Sequence, residues 1–251
     1  MLTGADAFAQ KKMPVITWTK GGELPPAAGE ARSLGVAGPA TGIHGQMMFV
    51  AGGANFPDSM PWQGGKKKYH KNIYIFKKKG GILTAVDGHF QLPEAIAYAA
   101  TCSTPRGVIC AGGENEQGIS QKVYLLRWAA ELNALVIDTL PPLPLALTNA
   151  SATAHNNIVY IAGGEYPGGV SNKCWFIDID RPAATWQELP ALPRQVAYAA
   201  FIAIKTKKEL KLVLAGGRKK TPQGISELYD AVFEFSTLNN KWKERAPLPY
   251  A

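Results

Sequence analysis

The sequence predicts an all-β chain built from a repeated four-stranded unit, and three observations carry that prediction. Of the 251 residues, 46% are hydrophobic and only 18% charged, which is material for a sizeable core but little for exposed amphipathic helices. The 26 glycines and 18 prolines fall between short apolar runs, where they act as turn punctuation. The third observation is a tetrapeptide, apolar-Ala-Gly-Gly, that returns four times: Val50-Ala51-Gly52-Gly53, Cys110-Ala111-Gly112-Gly113, Ile161-Ala162-Gly163-Gly164 and Leu214-Ala215-Gly216-Gly217.

Around these pairs each unit reads as strands in a constant order. A small-residue strand comes first, over 97–102, 152–154 and 197–204. A β-branched or apolar strand follows, over 46–50, 107–110, 158–161 and 212–214, and ends at the Gly pair. A third strand carries an aromatic residue, at 73–76, 123–126, 174–177 and 231–233. The fourth runs into Leu-Pro, at Leu92-Pro93, Leu140-Pro141, Leu189-Pro190 and Leu248-Pro249. Successive Gly pairs lie 60, 51 and 53 residues apart, and the whole pattern resembles the kelch repeat of β-propellers. In that fold small residues suit inner strands crowded about an axis, paired glycines permit a tight turn where blades converge, and Trp fills the outer wedge.

The segment 16–20, followed by Leu24-Pro25, reads as an additional fourth strand with no first three of its own. The expectation is therefore a single kelch β-propeller domain over 13–251, with four recognisable blades and an orphan N-terminal closing strand. Residues 1–12 are a signal-peptide remnant or a disordered terminus. Two arrangements would accommodate the orphan: a C-terminally truncated part of a larger ring, or a closed four-bladed ring in which two segments compete for one edge. The first is favoured, since each earlier Leu-Pro leads into another small-residue strand. An open blade edge would in turn favour self-association.

Composition also excludes functions. No apolar stretch approaches the ~18 residues of a membrane span, so membrane insertion is not expected. The net charge of +8 suits anionic ligands in general. The lysines fall in loop clusters at 66–68, 77–79, 205–211 and 219–220, without the aromatic-interleaved basic motif of nucleic-acid modules, and no nucleic acid partner is expected. Cys102, Cys110 and Cys174 lack metal-ligand spacing. Cys102 and Cys110 flank a turn at 104–107, which leaves open either buried thiols or a hairpin disulfide. Ala7-Phe8-Ala9 has the form of a cleavage site, without a basic or adequately apolar stretch before it, and points to a periplasmic or otherwise exported protein.

The run Val50 to Pro57, then Pro61-Trp62-Gln63-Gly64-Gly65-Lys66-Lys67, Tyr69 and Lys71-Asn72-Ile73-Tyr74, resembles the long first-blade loop of cyclically permuted mutarotases. These are relatives of the bacterial N-acetylneuraminate epimerases, or sialic acid mutarotases. The resemblance implies a six-bladed ring and a cofactor-free isomerase that interconverts the anomers of a small sugar acid by acid/base ring opening. The family's proposed base, a Glu directly after a second-strand glycine, falls by blade order outside this chain, so no residue here inherits it. The positions that correspond by repeat are Ala54, Glu114, Glu165 and Arg218, each directly after Gly-Gly. Glu114 and Glu165 are acid/base candidates and Arg218 a candidate carboxylate clamp. Asn55 and Trp62, in the long loop, are candidate sugar contacts through an amide hydrogen bond and ring stacking. Arg194, after Leu192-Pro193, is a further candidate that either points into the channel or caps the blade edge. His44 and His155 recur at the same turn and read as turn residues. The alternative function is a non-catalytic kelch module that holds a protein or glycan partner.

Overall fold

A computed structural model describes residues 15–26, 31–221, 223–224 and 226–250. The expected leader remnant at 1–12 lies outside them. Among the described residues four large antiparallel sheets follow one another along the chain, each a propeller blade. Blade 1 comprises Ala40–His44, Met47–Ala51, Asn72–Lys79 and Ile82–Ala85, with Phe90–Gln91 also paired to the third strand. Blade 2 comprises Ala100–Thr104, Gly107–Ala111, Val123–Ala129 and Ala134–Leu140; blade 3, Ser151–His155, Ile158–Ala162, Cys174–Asp178 and Gln187–Leu189. Blade 4 is formed by Ala200–Lys205, Leu210–Ala215, Val232–Ser236 and Lys241–Arg245. Each blade also carries a short two-stranded ribbon directly after its Gly pair, such as Glu165–Tyr166 with Gly169–Val170.

The second strands explain the continuous apolar runs. Gly107–Ala111 is buried at every position, because a strand inside a blade is covered on both faces by neighbouring blades. Val108 and Cys110 join Phe49, Ile75, Tyr124 and Leu126 in a core between blades 1 and 2. Ile109 and Ala111, on the opposite face, join Ile161 and Ile177 between blades 2 and 3. Tyr160, Leu212 and Phe235 continue the series between blades 3 and 4. Cys102 pairs opposite Ile109, and Cys110 opposite Thr101. The two thiols thus sit on opposite faces of the hairpin, which rules out the disulfide, and all three cysteines are free. Outer tryptophans do more than fill wedges: Trp186 Nε1 donates to the Pro141 carbonyl and Trp242 Nε1 to that of Pro190, both at 2.9 Å.

The orphan closing strand is a correction. Segment 16–20 forms no strand, and Ile16 and Trp18 are exposed. It runs toward blade 1, where a Cβ placed on Gly21 would lie 3.5 Å from the Leu83 side chain. Its β-propensity is real, but a strand forms only where an edge offers unpaired N–H and C=O groups in register. A second correction concerns the lysine clusters: Lys77–Lys79 continue the third strand of blade 1 and Lys211 sits in the second strand of blade 4, so these are sheet residues.

Why glycines are paired is now visible. Gly52, Gly112 and Gly163 have φ of 65–68°, and a Cβ there would lie 2.1–2.2 Å from a carbonyl oxygen of the segment leading into the next blade. The second glycine of each of these pairs donates its N–H to that same carbonyl: Gly53 to Ile96, Gly113 to Leu147 and Gly164 to Val196. The glycines therefore permit a cross-blade backbone contact, and the turn is its by-product.

Candidate functional site

The residue after each Gly pair forms an isolated bridge with the segment leading into its own blade: Ala54 with Ala37, Glu114 with Ala97, Glu165 with Thr148, Arg218 with Ala197. The residue after each of those partners is left-handed: Gly38, Tyr98, Asn149 and Tyr198, with φ of 55–61°. They are joined head to tail, Tyr98 N–H to the Gly38 carbonyl, Asn149 N–H to Tyr98, and Tyr198 N–H to Asn149, at 2.7–3.0 Å. One backbone ladder thus runs from blade to blade along the same rim that carries Glu114, Glu165 and Arg218. Beneath it a cavity of about 300 Å³ is lined by Thr101, Asn149, Ser151, Tyr198 and Phe201.

The side chains on this rim differ in what holds them. Glu114 accepts from the Tyr69 hydroxyl at 2.7 Å and pairs with Lys67 at 3.3 Å. Burial, then the hydrogen bond to Glu114, push the Tyr69 phenol above its usual range. Among the described residues Glu165 takes a single side-chain bond, from Asn149 Nδ2 at 2.8 Å. Arg218 stacks its guanidinium 4.2 Å above the Tyr198 ring and donates to Ser226 Oγ at 3.1 Å. Its Nε is buried with no partner among the described residues. Tyr198 is 48% exposed; partial burial and then the Glu165 charge raise its phenol pKa, and Glu114 adds to the effect. A Tyr in the left-handed region is strained, and such strain concentrates at functional sites.

The other candidates lie elsewhere. Asn55 donates to the Gly35 carbonyl at 2.9 Å and its Oδ1 meets His70 Nε2 at 2.8 Å, so its amide ties the long loop to the start of blade 1. Asn115 makes the equivalent bond to Ala95 in blade 2, which marks a repeat feature of the ribbon. Trp62 is 80% exposed, on a short 3-10 turn of the loop, Pro61–Gln63. Arg194 is not directed at the mouth: its guanidinium covers Tyr229 and Phe233 of blade 4 at 4.5 and 5.5 Å. Its repeat equivalent Glu94 reaches blade 2 in the same way, to Lys122 and Tyr124, so the position clasps one blade to the next. His44 accepts from the Trp128 N–H at 3.2 Å, the structural role expected for it. Sequence reading missed Lys67, Tyr69, Tyr98, Asn149 and Tyr198. The twice-written Ala-Tyr-Ala at 97–99 and 197–199 was the available signal. Among the described residues no group of three or more His, Cys, Asp or Glu converges as a metal site.

No protein-family profile matches the chain. A stretch of 121 residues, 44% of the chain, is 34% identical to an N-acetylneuraminate epimerase of Brucella melitensis. The enzymes of that name from Vibrio vulnificus and Vibrio cholerae are 36% identical over 117 residues and 38% over 102. This stretch is homologous to the N-acetylneuraminate epimerases. The matched stretch spans 30% of the Brucella and V. vulnificus epimerases and 26% of the V. cholerae one. A solved structure titled "Structure of YjhT" superposes with a TM-score of 0.67 over 85% of this chain and 71% of its own, at 14% identity. That likeness establishes the fold, and the epimerase relatives establish common ancestry for the matched stretch.

Proposed function

We propose that the chain is a sugar-anomer isomerase of the N-acetylneuraminate epimerase type, acting on a sialic acid without a cofactor. The observation that carries the reading is the rim arrangement in blades 3 and 4: a carboxylate, Glu165, positioned by Asn149, near an arginine, Arg218, stacked on Tyr198. In this reading Glu165 takes the proton of the anomeric hydroxyl as the bond from the anomeric carbon to the ring oxygen breaks. The ring oxygen is protonated from solvent at the open mouth, and reclosure on the other face of the carbonyl returns both protons. Arg218 holds the sugar's own carboxylate by charge-assisted hydrogen bonds. Glu114 pairs with Lys67 and supports the mouth electrostatically. Trp62 remains a proposed contact from the loop.

The relatives' name supports this substrate class. A non-catalytic binding propeller is the second reading, favoured by the internal use of Glu114, Asn55 and Arg194. Proton exchange between the two anomers of N-acetylneuraminate, followed by NMR, separates them. Acceleration by the native chain, reduced by about 100-fold or more in Glu165→Gln, is the expected result. Exchange no faster than with heat-denatured chain would remove the isomerase reading, and an unchanged rate in Glu165→Gln would remove Glu165 from it.

A further inference from the structure

We infer that a second cavity at the mouth, walled by Tyr98, is a subsite for the acyl substituent of the sugar acid. The inference rests on the sugar-acid reading above and assigns one part of that ligand to one place. The cavity has a volume of about 730 Å³ and lies under the long loop of blade 1, lined by Leu34, Val36, Phe56, Met60 and Gln63, with Tyr98 beside them. Its size is that of a small-molecule site, and its mainly apolar walls, broken by the side-chain amides of Asn55 and Gln63, the Ser59 hydroxyl and the Asp58 carboxylate, suit a group that is part methyl and part amide.

The case turns on why residue 98 is a tyrosine. The blade-to-blade ladder needs only a left-handed residue at this position, and Gly38 and Asn149 meet that need in blades 1 and 3 without strain from a bulky side chain. Tyr98 holds φ at 58°, and its ring fills the space above Gly38, where a Cβ would lie 2.3 Å from it. The neighbouring blade has thus given up its own side chain to seat this ring. Such an arrangement adds nothing to the ladder, so the reason lies in what the ring borders. It borders the apolar cavity and also Lys67, whose ammonium lies 4.9 Å from its centroid and pairs with Glu114. Tyr98 is therefore shared between a largely apolar compartment and the charged rim. A sugar acid with its anomeric end at Glu165 and Arg218 has one apolar substituent to place, and this compartment is contiguous with the rim through Tyr98.

The test is calorimetric binding of N-acetylneuraminate and of its analogue with a hydroxyl in place of the acetamido group, to the wild-type chain, Tyr98→Asn and Tyr98→Phe. Asn occupies this position in blade 3, so the first variant keeps the backbone conformation; an unchanged thermal midpoint checks it. The expected result is a roughly tenfold preference of the wild type for the acetamido sugar, from burial of one methyl and its amide. Tyr98→Asn should abolish that preference with the analogue's affinity within about twofold of wild type, and Tyr98→Phe should keep it. Equal loss of both sugars in Tyr98→Asn, no change in either, or loss of preference in Tyr98→Phe would overturn the assignment. A wild-type chain that binds both sugars equally removes the subsite and leaves the sugar-acid reading standing; one that binds neither removes both.

Discussion

Glu165 and Glu114 occupy equivalent positions after their Gly pairs, yet their neighbours give them different capacities. Glu114 is already engaged by a lysine and a phenol, whereas Glu165 has, among the described residues, one amide donor and lies near Tyr198. A base must have an oxygen free for the proton it removes, which is why Glu165 and not Glu114 is proposed for that role. The repeat made both glutamates legible in the sequence, because position after Gly-Gly predicts place on the rim. It could not make Lys67 and Tyr69 legible, since they reach Glu114 from another blade, 47 and 45 residues away in sequence. Nor did it reveal Tyr198, which a small-residue strand over 197–204 had absorbed. Tyr198→Asn tests whether that side chain is held for function. Replacing a bulky left-handed residue by Asn relieves roughly 1–2 kcal/mol of backbone strain. Loss of the Arg218 stack returns about 0.5–1 kcal/mol. Urea unfolding should therefore show equal or slightly higher stability, by up to about 1.5 kcal/mol. Anomer exchange should fall about tenfold as Arg218 loses its platform. Equal losses of both would mark the tyrosine as structural.

The second strands were read from apolar runs and turn residues nearly to the residue, because a blade buried on both faces leaves them little freedom; the first strands of blades 2 and 4 begin three residues later than read, and the outer strand of blade 1, Ile82–Ala85, precedes the Leu-Pro expected to mark it. What the sequence did not show was which backbone groups meet across blades, and the paired glycines are the instructive example. A Cβ at Gly163 would overlap the Val196 carbonyl at 2.1 Å, whereas one at Gly216 would lie 3.3 Å from the Leu248 side chain and 3.4 Å from the Tyr229 carbonyl, near ordinary contact. Gly216→Ala should thus cost about 1–2 kcal/mol for the left-handed backbone alone. Gly163→Ala should cost more than about 3 kcal/mol, in the range of severe core lesions, and urea midpoints of the two variants compare them directly. The thiols report on the same interfaces. Cys110 lies in the core between blades 1 and 2, Cys102 against that between 2 and 3, and Cys174 in that between 3 and 4. Burial pushes all three up to about 12 from an ordinary 9.0. Between those values the folded chain keeps protons that the unfolded chain has lost, so stability should fall as pH rises above 9. Maleimide labelling at pH 8 should be slow for all three until blades separate, and rapid native labelling of any one would show that its interface opens.

At the scale of the molecule, each core is made by two blades, so a blade face without a neighbour leaves apolar side chains in water. The inner strand of blade 3 shows what a covered face looks like: Ser151 Oγ donates to the Ala199 carbonyl and Thr153 Oγ1 accepts from Ala203 N–H, both in blade 4. By repeat, blade 4 places Ile202 where blade 3 has Thr153, and Ile204 where it has His155. These two isoleucines are 54% and 43% exposed. Two large aliphatic residues on one exposed strand face are an association surface, since covering them recovers on the order of 1–2 kcal/mol each. The chain in solution should accordingly self-associate in a concentration-dependent manner. Replacing Ile202 by Thr and Ile204 by His, the residues that blade 3 uses, should shift sedimentation toward the monomer without lowering the thermal midpoint of blades already packed on one another. A wild-type chain that sediments as a monomer over a hundredfold range of concentration would show that this face does not drive association. The open face of blade 4 would then have to be screened by a segment whose contacts the inner strand does not make.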